Sequence, residues 1–170
     1  MDVDVTVYWD RLWRDKTYTK FCVSTELNCN VGLLRLFPGI TTETVRSFLQ
    51  PPMEGVVLET YGAGNAPDNR PDLLAALKEA TDRGVIIINT TQCLKGTVST
   101  IYATGEGLYA AGLLCGSDMT PEAVFTKLSH VLAIEGLDLQ TKKMMMTKNL
   151  RGEMSADLGA KLLSISCKEM

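Results

Sequence analysis

Between Gly55 and Gly96 the chain reads GVVLETYGAGNAPDNRPDLLAALKEATDRGVIIINTTQCLKG: a strand, a Gly-rich loop, a helix, a second strand and a turn in succession. Val56-Val57-Leu58 is a short apolar run, and Gly62, Gly64, Asn65 and Pro67 then let the backbone turn sharply. Pro71 fits the first turn of a helix, where its missing N–H costs nothing, and Asp72 sets a negative charge at the positive end of the helix dipole. Leu73, Leu74, Leu77 and Ala80 recur at helical spacing, and Gly84 supplies the stop. Val85-Ile86-Ile87-Ile88 is apolar at every position, which demands burial on both faces, as in a parallel sheet between helices. Ligands of such sheets gather at the carboxyl ends of the strands, so Tyr61–Pro67 and Asn89–Gly96 are the candidate site loops.

The flanks extend this pattern. Val31 to Phe37 reads as a strand broken by Pro38-Gly39; Thr41 or Thr42 caps a helix through Val45, Phe48 and Leu49; Pro51-Pro52 ends it. Strand, helix, strand, helix, strand implies parallel strands joined by crossovers, hence an α/β fold of three layers with a small parallel sheet flanked by helices. Gly105–Leu114 is expected to be a helix packed close to its neighbours. Thr120-Pro121-Glu122 starts another helix with a buried stripe of Val124, Leu128, Val131 and Leu132, and Asp138 caps a last one whose Met144, Met145 and Met146 serve packing. Residues 1–30 read as an arm, linker or edge strand, 31–154 as the domain and 155–170 as a tail.

Composition removes several function classes. At 170 residues the chain holds one substantial core, and a net charge of −3 with no clustered basic face gives no reason to expect nucleic acid. No apolar run reaches membrane-spanning length and residues 1–20 are too charged for a secretory signal, so a cytoplasmic protein without membrane contact is expected. The five cysteines form no CxxC pair, which argues against a disulfide scaffold and a metal site; Cys93 is expected to be a small buried residue. His130 is the only histidine and falls on a helix. GAGNAP lacks the third glycine of a dinucleotide fingerprint, so no cofactor is expected. Tyr102 either hydrogen-bonds a ligand or another subunit, or simply closes its loop.

Six motifs in order resemble a known family: VGLLRLFPGI from Val31, YGAGNAP from Tyr61, DRGVIIINTTQC from Asp82, YATG from Tyr102, DMT from Asp118 and NLRGE from Asn149. Together they are similar to the C-terminal domain of type I, cytoplasmic L-asparaginases, whose animal members include proteins described as 60 kDa lysophospholipases. The resemblance covers about Val31 to Met154. It implies a domain that helps form dimers or tetramers and completes a neighbouring subunit's L-asparagine site. Tyr102 is similar to the tyrosine contributed across the dimer, and Asn65 belongs to the loop beside that site. The family's threonine nucleophile lies in an N-terminal domain within TGGT-like and HGTDT-like motifs, and neither motif occurs here, so no catalytic residue is expected in this chain. Glu59 and Cys93 fall at positions of an allosteric site in bacterial members. An arginine is usual at the first of these, so Glu59 is expected to weaken or abolish that mode. A non-catalytic amino-acid-binding module and a structural interaction module remain as alternatives.

Overall fold

The computed structural model describes residues 7–9, 20–67, 69–94, 96–98 and 106–155. Four strands, β1 (Val31–Arg35), β2 (Gly55–Thr60), β3 (Ile86–Thr91) and β4 (Leu114–Cys115), form one parallel sheet in chain order. Because successive strand residues point to opposite faces, the apolar runs feed two cores at once. Leu34, Val56, Leu58 and Ile87 pack on one face, while Val31, Val57, Ile86 and Ile88 pack on the other. Helices α1 (Thr42–Phe48), α2 (Pro71–Asp82) and α3 (Glu106–Ala110) supply Val45, Leu73, Leu77, Ala80 and Leu108 to the first core. Helices α4 (Pro121–Ala133) and α5 (Leu139–Met146) supply Val124, Leu128, Val131, Leu132 and Met146 to the second. The three-layer α/β architecture expected from the alternation is the one observed.

Local chemistry fixes the helix starts. The hydroxyls of Thr41 and Thr120 accept from the backbone N–H of Thr44 and Ala123, each at 3.2 Å, and Asp138 accepts from Thr141 N–H at 2.7 Å. At the head of α2, Arg70 and then Thr42 donate to Asp72 and hold its carboxyl well below the usual range. Of the three methionines in α5, Met146 is buried, Met145 packs against the second core and Met144 is exposed.

One expectation needs correction. The segment expected to be a helix through Leu114 is helical only over Glu106–Ala110; Gly112, at φ 90°, reverses the chain, and Leu114 and Cys115 pair with Ile88 and Asn89 as a fourth strand. A two-residue strand is too short to leave a period in the sequence, which is why it was illegible.

Helix α4 lies close against β2 at Gly55. A Cβ there would stand 2.7 Å from Leu132 Cδ1 and 2.9 Å from Leu128 Cδ2. Gly55→Val is therefore expected to destabilise by about 1–3 kcal/mol through overpacking, despite the strand preference of valine. Urea unfolding measures the change.

On the same helix the side chain of Lys127 is only 5% exposed. Its Nζ donates to Met146 O at 3.2 Å and Lys148 O at 2.5 Å and pairs with Glu153 Oε1 at 2.7 Å. Glu153 also accepts from the N–H groups of Leu150 and Arg151. Asp118, before α4, accepts Ser155 N–H at 2.9 Å and Ser155 Oγ–H at 2.5 Å. The irregular stretch after α5 is thus fastened to α4 at one point and to the carboxyl edge of the sheet at another.

Candidate functional site at the carboxyl edge of the sheet

Strands β2 and β3 end in polar residues that stay buried because each finds partners. Asn89, fully buried, donates from Nδ2 to Gly64 O at 2.9 Å and accepts from Thr60 Oγ1 at 2.7 Å. Thr91 Oγ1 donates to Gly62 O at 2.5 Å. Both bonds pull down the turn after β2, which closes on itself through Tyr61 N–H to Asn65 O and Asn65 N–H to Tyr61 O, each 2.8 Å. Gly64 sits at φ 103°, and a Cβ there would stand 2.4 Å from Val98 Cγ1. Position 64 therefore admits only glycine on both counts. Asn65 is half-buried in this turn.

Asn89→Ala removes the donor to Gly64 and the acceptor for Thr60 together. The expected loss is about 2–3 kcal/mol, with faster amide exchange at Gly64 and Asn65 than in the strands beneath. Hydrogen-exchange measurement separates this local loosening from global unfolding.

Beside the turn, the parallel register sets Arg35 opposite Glu59. The Glu59 side chain is 4% exposed and receives Arg35 Nε at 2.5 Å and Nη2 at 3.2 Å. The hydrogen bond to Glu59, reinforced by its charge, raises the pKa of Arg35. These two residues form part of the wall of a cavity of about 210 Å³ with Gln92, Cys93, Asp118 and Glu122. Gln92 Nε2 is tied to Leu36 O at 3.3 Å. Burial opposes ionisation of Asp118, but the bonds from Ser155 outweigh it and hold the carboxyl below its ordinary pKa. Glu122 is also held low, chiefly by its own backbone N–H and by Thr120. Among the described residues, three carboxylates line the cavity against one guanidinium.

The fold brings Glu59 and Cys93 into this one cavity and sets the Asn65 turn beside it at the same edge. Cys93 is exposed rather than buried, because the chain leaves β3 at Thr91 and bends outward through Gln92–Leu94. Tyr102 lies outside the described residues. Sequence reasoning missed the Arg35–Glu59 pair. Its signal was present: strands of similar length aligned from Val31 and Gly55 put opposite charges at matching positions. No group of three or more residues able to hold a metal ion is found among the described residues, and none of their helices is long and apolar enough to cross a membrane.

A parallel four-stranded sheet with a core on each face defines the class, a three-layer α/β domain. Comparison with known proteins makes it specific. Residues 30–146 match the glutaminase/asparaginase C-terminal domain, and the chain belongs to that family. It is 52% identical over 155 residues to an L-asparaginase of Dirofilaria immitis, covering 91% of this chain and 26% of that protein. It is 47% identical over 152 residues to the 60 kDa lysophospholipase of Homo sapiens, covering 89% and 26% respectively. The solved L-asparaginase I of Vibrio cholerae superposes with a TM-score of 0.77 at 44% identity, over 83% of this chain and 42% of that one. The chain thus spans about a quarter of the length of these curated relatives.

Proposed function

We propose that this chain serves as the small domain of a cytoplasmic L-asparaginase, the enzyme class that hydrolyses L-asparagine to L-aspartate and ammonia. The match of residues 30–146 to the C-terminal domain of that family carries the reading. In it the domain assembles with a second subunit as a dimer or tetramer. Tyr102 and Asn65 border the neighbouring substrate site, and the nucleophile comes from a domain with TGGT-like and HGTDT-like motifs that this sequence does not contain. Residues 1–30 serve as an arm, edge strand or linker, 31–154 as the small domain and 155–170 as a tail.

Glu59 bears on regulation. An effector carboxylate entering the cavity of about 210 Å³ finds Arg35 already held by Glu59 and meets Asp118 and Glu122 besides. Glu59 both adds a negative charge and occupies the guanidinium of Arg35. Allosteric response to asparagine through Glu59 and Cys93 is accordingly weakened or lost in this reading.

Hydrolysis needs an activated nucleophile or a metal-bound water. The purified 170-residue chain is therefore expected to release no ammonia from L-asparagine above a buffer blank. Release at the rate of an intact asparaginase would overturn the proposal.

A further inference from the structure

Gly62 and Gly64 give the Tyr61–Asn65 turn two residues at positive φ, 49° and 103°, and glycine has many other conformations open to it. Backbone hydrogen bonds close the turn on itself: Tyr61 N–H donates to Asn65 O, and the N–H groups of Gly64 and Asn65 donate to Tyr61 O. These bonds fix its curvature but not where it stands over the sheet. Two side chains of β3 set that, Asn89 through Gly64 O at 2.9 Å and Thr91 through Gly62 O at 2.5 Å.

The two attachments differ. Gly64 is also pressed by Val98, whose N–H donates to Ser117 O at 2.9 Å and whose carbonyl accepts from Cys115 Sγ at 3.5 Å, so that corner is clamped from two sides. At Gly62, among the described residues beyond its chain neighbours, no atom lies within 4 Å of the place a Cβ would take. The Thr91 hydroxyl is therefore what holds that corner. Its oxygen also accepts Cys93 N–H at 3.0 Å, which points the hydroxyl proton at Gly62 O. Folding alone does not call for this side chain. Thr91 is buried at the end of a strand that begins Ile86-Ile87-Ile88, and a valine there would fill the same space with no hydrogen bond to satisfy.

We propose that Thr91 is a positioning residue for substrate recognition: through the carbonyl of Gly62 it sets the turn that presents Asn65 to the asparagine site. This rests on the reading above that Asn65 borders that site. Thr91 itself touches no substrate. Without its hydroxyl the turn keeps its closing bonds and its clamp at Gly64 but swings about that corner, and a displacement of about 1 Å is enough to misplace Asn65. The loss falls on binding, because in that reading the nucleophile stands on another domain.

Two measurements test this. In the full chain, Thr91→Val should lower the melting temperature by about 5 °C or less, while the Gly64 and Asn65 amides exchange about tenfold faster; Thr91→Ser, which keeps the hydroxyl, should restore their protection. The second uses L-asparaginase 1 of Escherichia coli carrying this domain in place of its own. There Thr91→Val should raise KM for L-asparagine about tenfold with kcat within about twofold, and Thr91→Ser should return KM to the parent value. Gly55→Val, which loosens the opposite end of the sheet, should leave KM unchanged. Turn amides that exchange no faster in Thr91→Val overturn the positioning role whether or not the chimera assembles. So does a KM that rises as much with Gly55→Val as with Thr91→Val. Asn65→Ala separates the inference from the reading beneath it. If Asn65→Ala raises KM and Thr91→Val does not, the positioning role fails and the reading of Asn65 stands; if Asn65→Ala changes neither KM nor kcat, both fall.

Discussion

Lys127→Met is expected to destabilise the domain by about 3–5 kcal/mol, because it leaves the Glu153 carboxylate in a largely buried site without its cation. The carbonyls of Met146 and Lys148 lose their donor at the same time. For a domain of this size the melting temperature should fall by roughly 10 °C. The lost energy is that of an uncompensated charge more than of a favourable pair, so the double variant Lys127→Met/Glu153→Gln should recover part of it. Thermal unfolding of the single and double variants measures both effects. A single variant as stable as the parent would show that the stretch after α5 is not fastened through Lys127.

The same pair sets an acid dependence. Burial opposes ionisation of Glu153, but Lys127 and the N–H groups of Leu150 and Arg151 outweigh it and bring the pKa down to about 2. The unfolded value is near 4.3, so the folded state holds the proton less tightly. Its stabilising contribution is complete above about pH 4.3 and is lost as pH falls through the folded value near 2. Glu153→Gln should remove that part of the acid sensitivity in urea titrations.

The scaffold was legible wherever one residue's chemistry dictates its own neighbourhood. Val85–Ile88 announces a buried strand, Thr120-Pro121 a helix start and Gly84 a helix stop, and each stands where the sequence put it. Illegible were the features that require two distant residues to meet. β4 has two residues and exists only because it docks on Ile88 and Asn89. Lys127 reads as a surface charge on a helix until Glu153 is seen to close over it. At the candidate site, Glu59 was visible as an unusual carboxylate at a strand end, but its engagement by Arg35 depends on strand register. Cys93 was misjudged because burial depends on where β3 ends, and a polar Asn-Thr-Thr stretch extends that strand only when its side chains are satisfied beneath a turn.

The second large effect belongs to Tyr102. If it reaches a neighbouring site as a proton-handling or hydrogen-bonding group, removing its hydroxyl should lower turnover by about 100-fold or more while leaving assembly intact. In the proposed reading the nucleophile belongs to another domain, so the effect is read in an enzyme that carries one. The L-asparaginase 1 of Escherichia coli is 45% identical to this chain over 128 residues, which permits an exchange of the matching domain. Residues 30–154 would replace the corresponding part of that enzyme, and ammonia release from L-asparagine would be followed with and without Tyr102→Phe. The chimera is expected to work within about tenfold of its parent, and Tyr102→Phe to depress kcat by about 100-fold with the oligomer unchanged. A chimera that folds and assembles yet releases no ammonia, or one in which Tyr102→Phe turns over as fast as tyrosine, would contradict it.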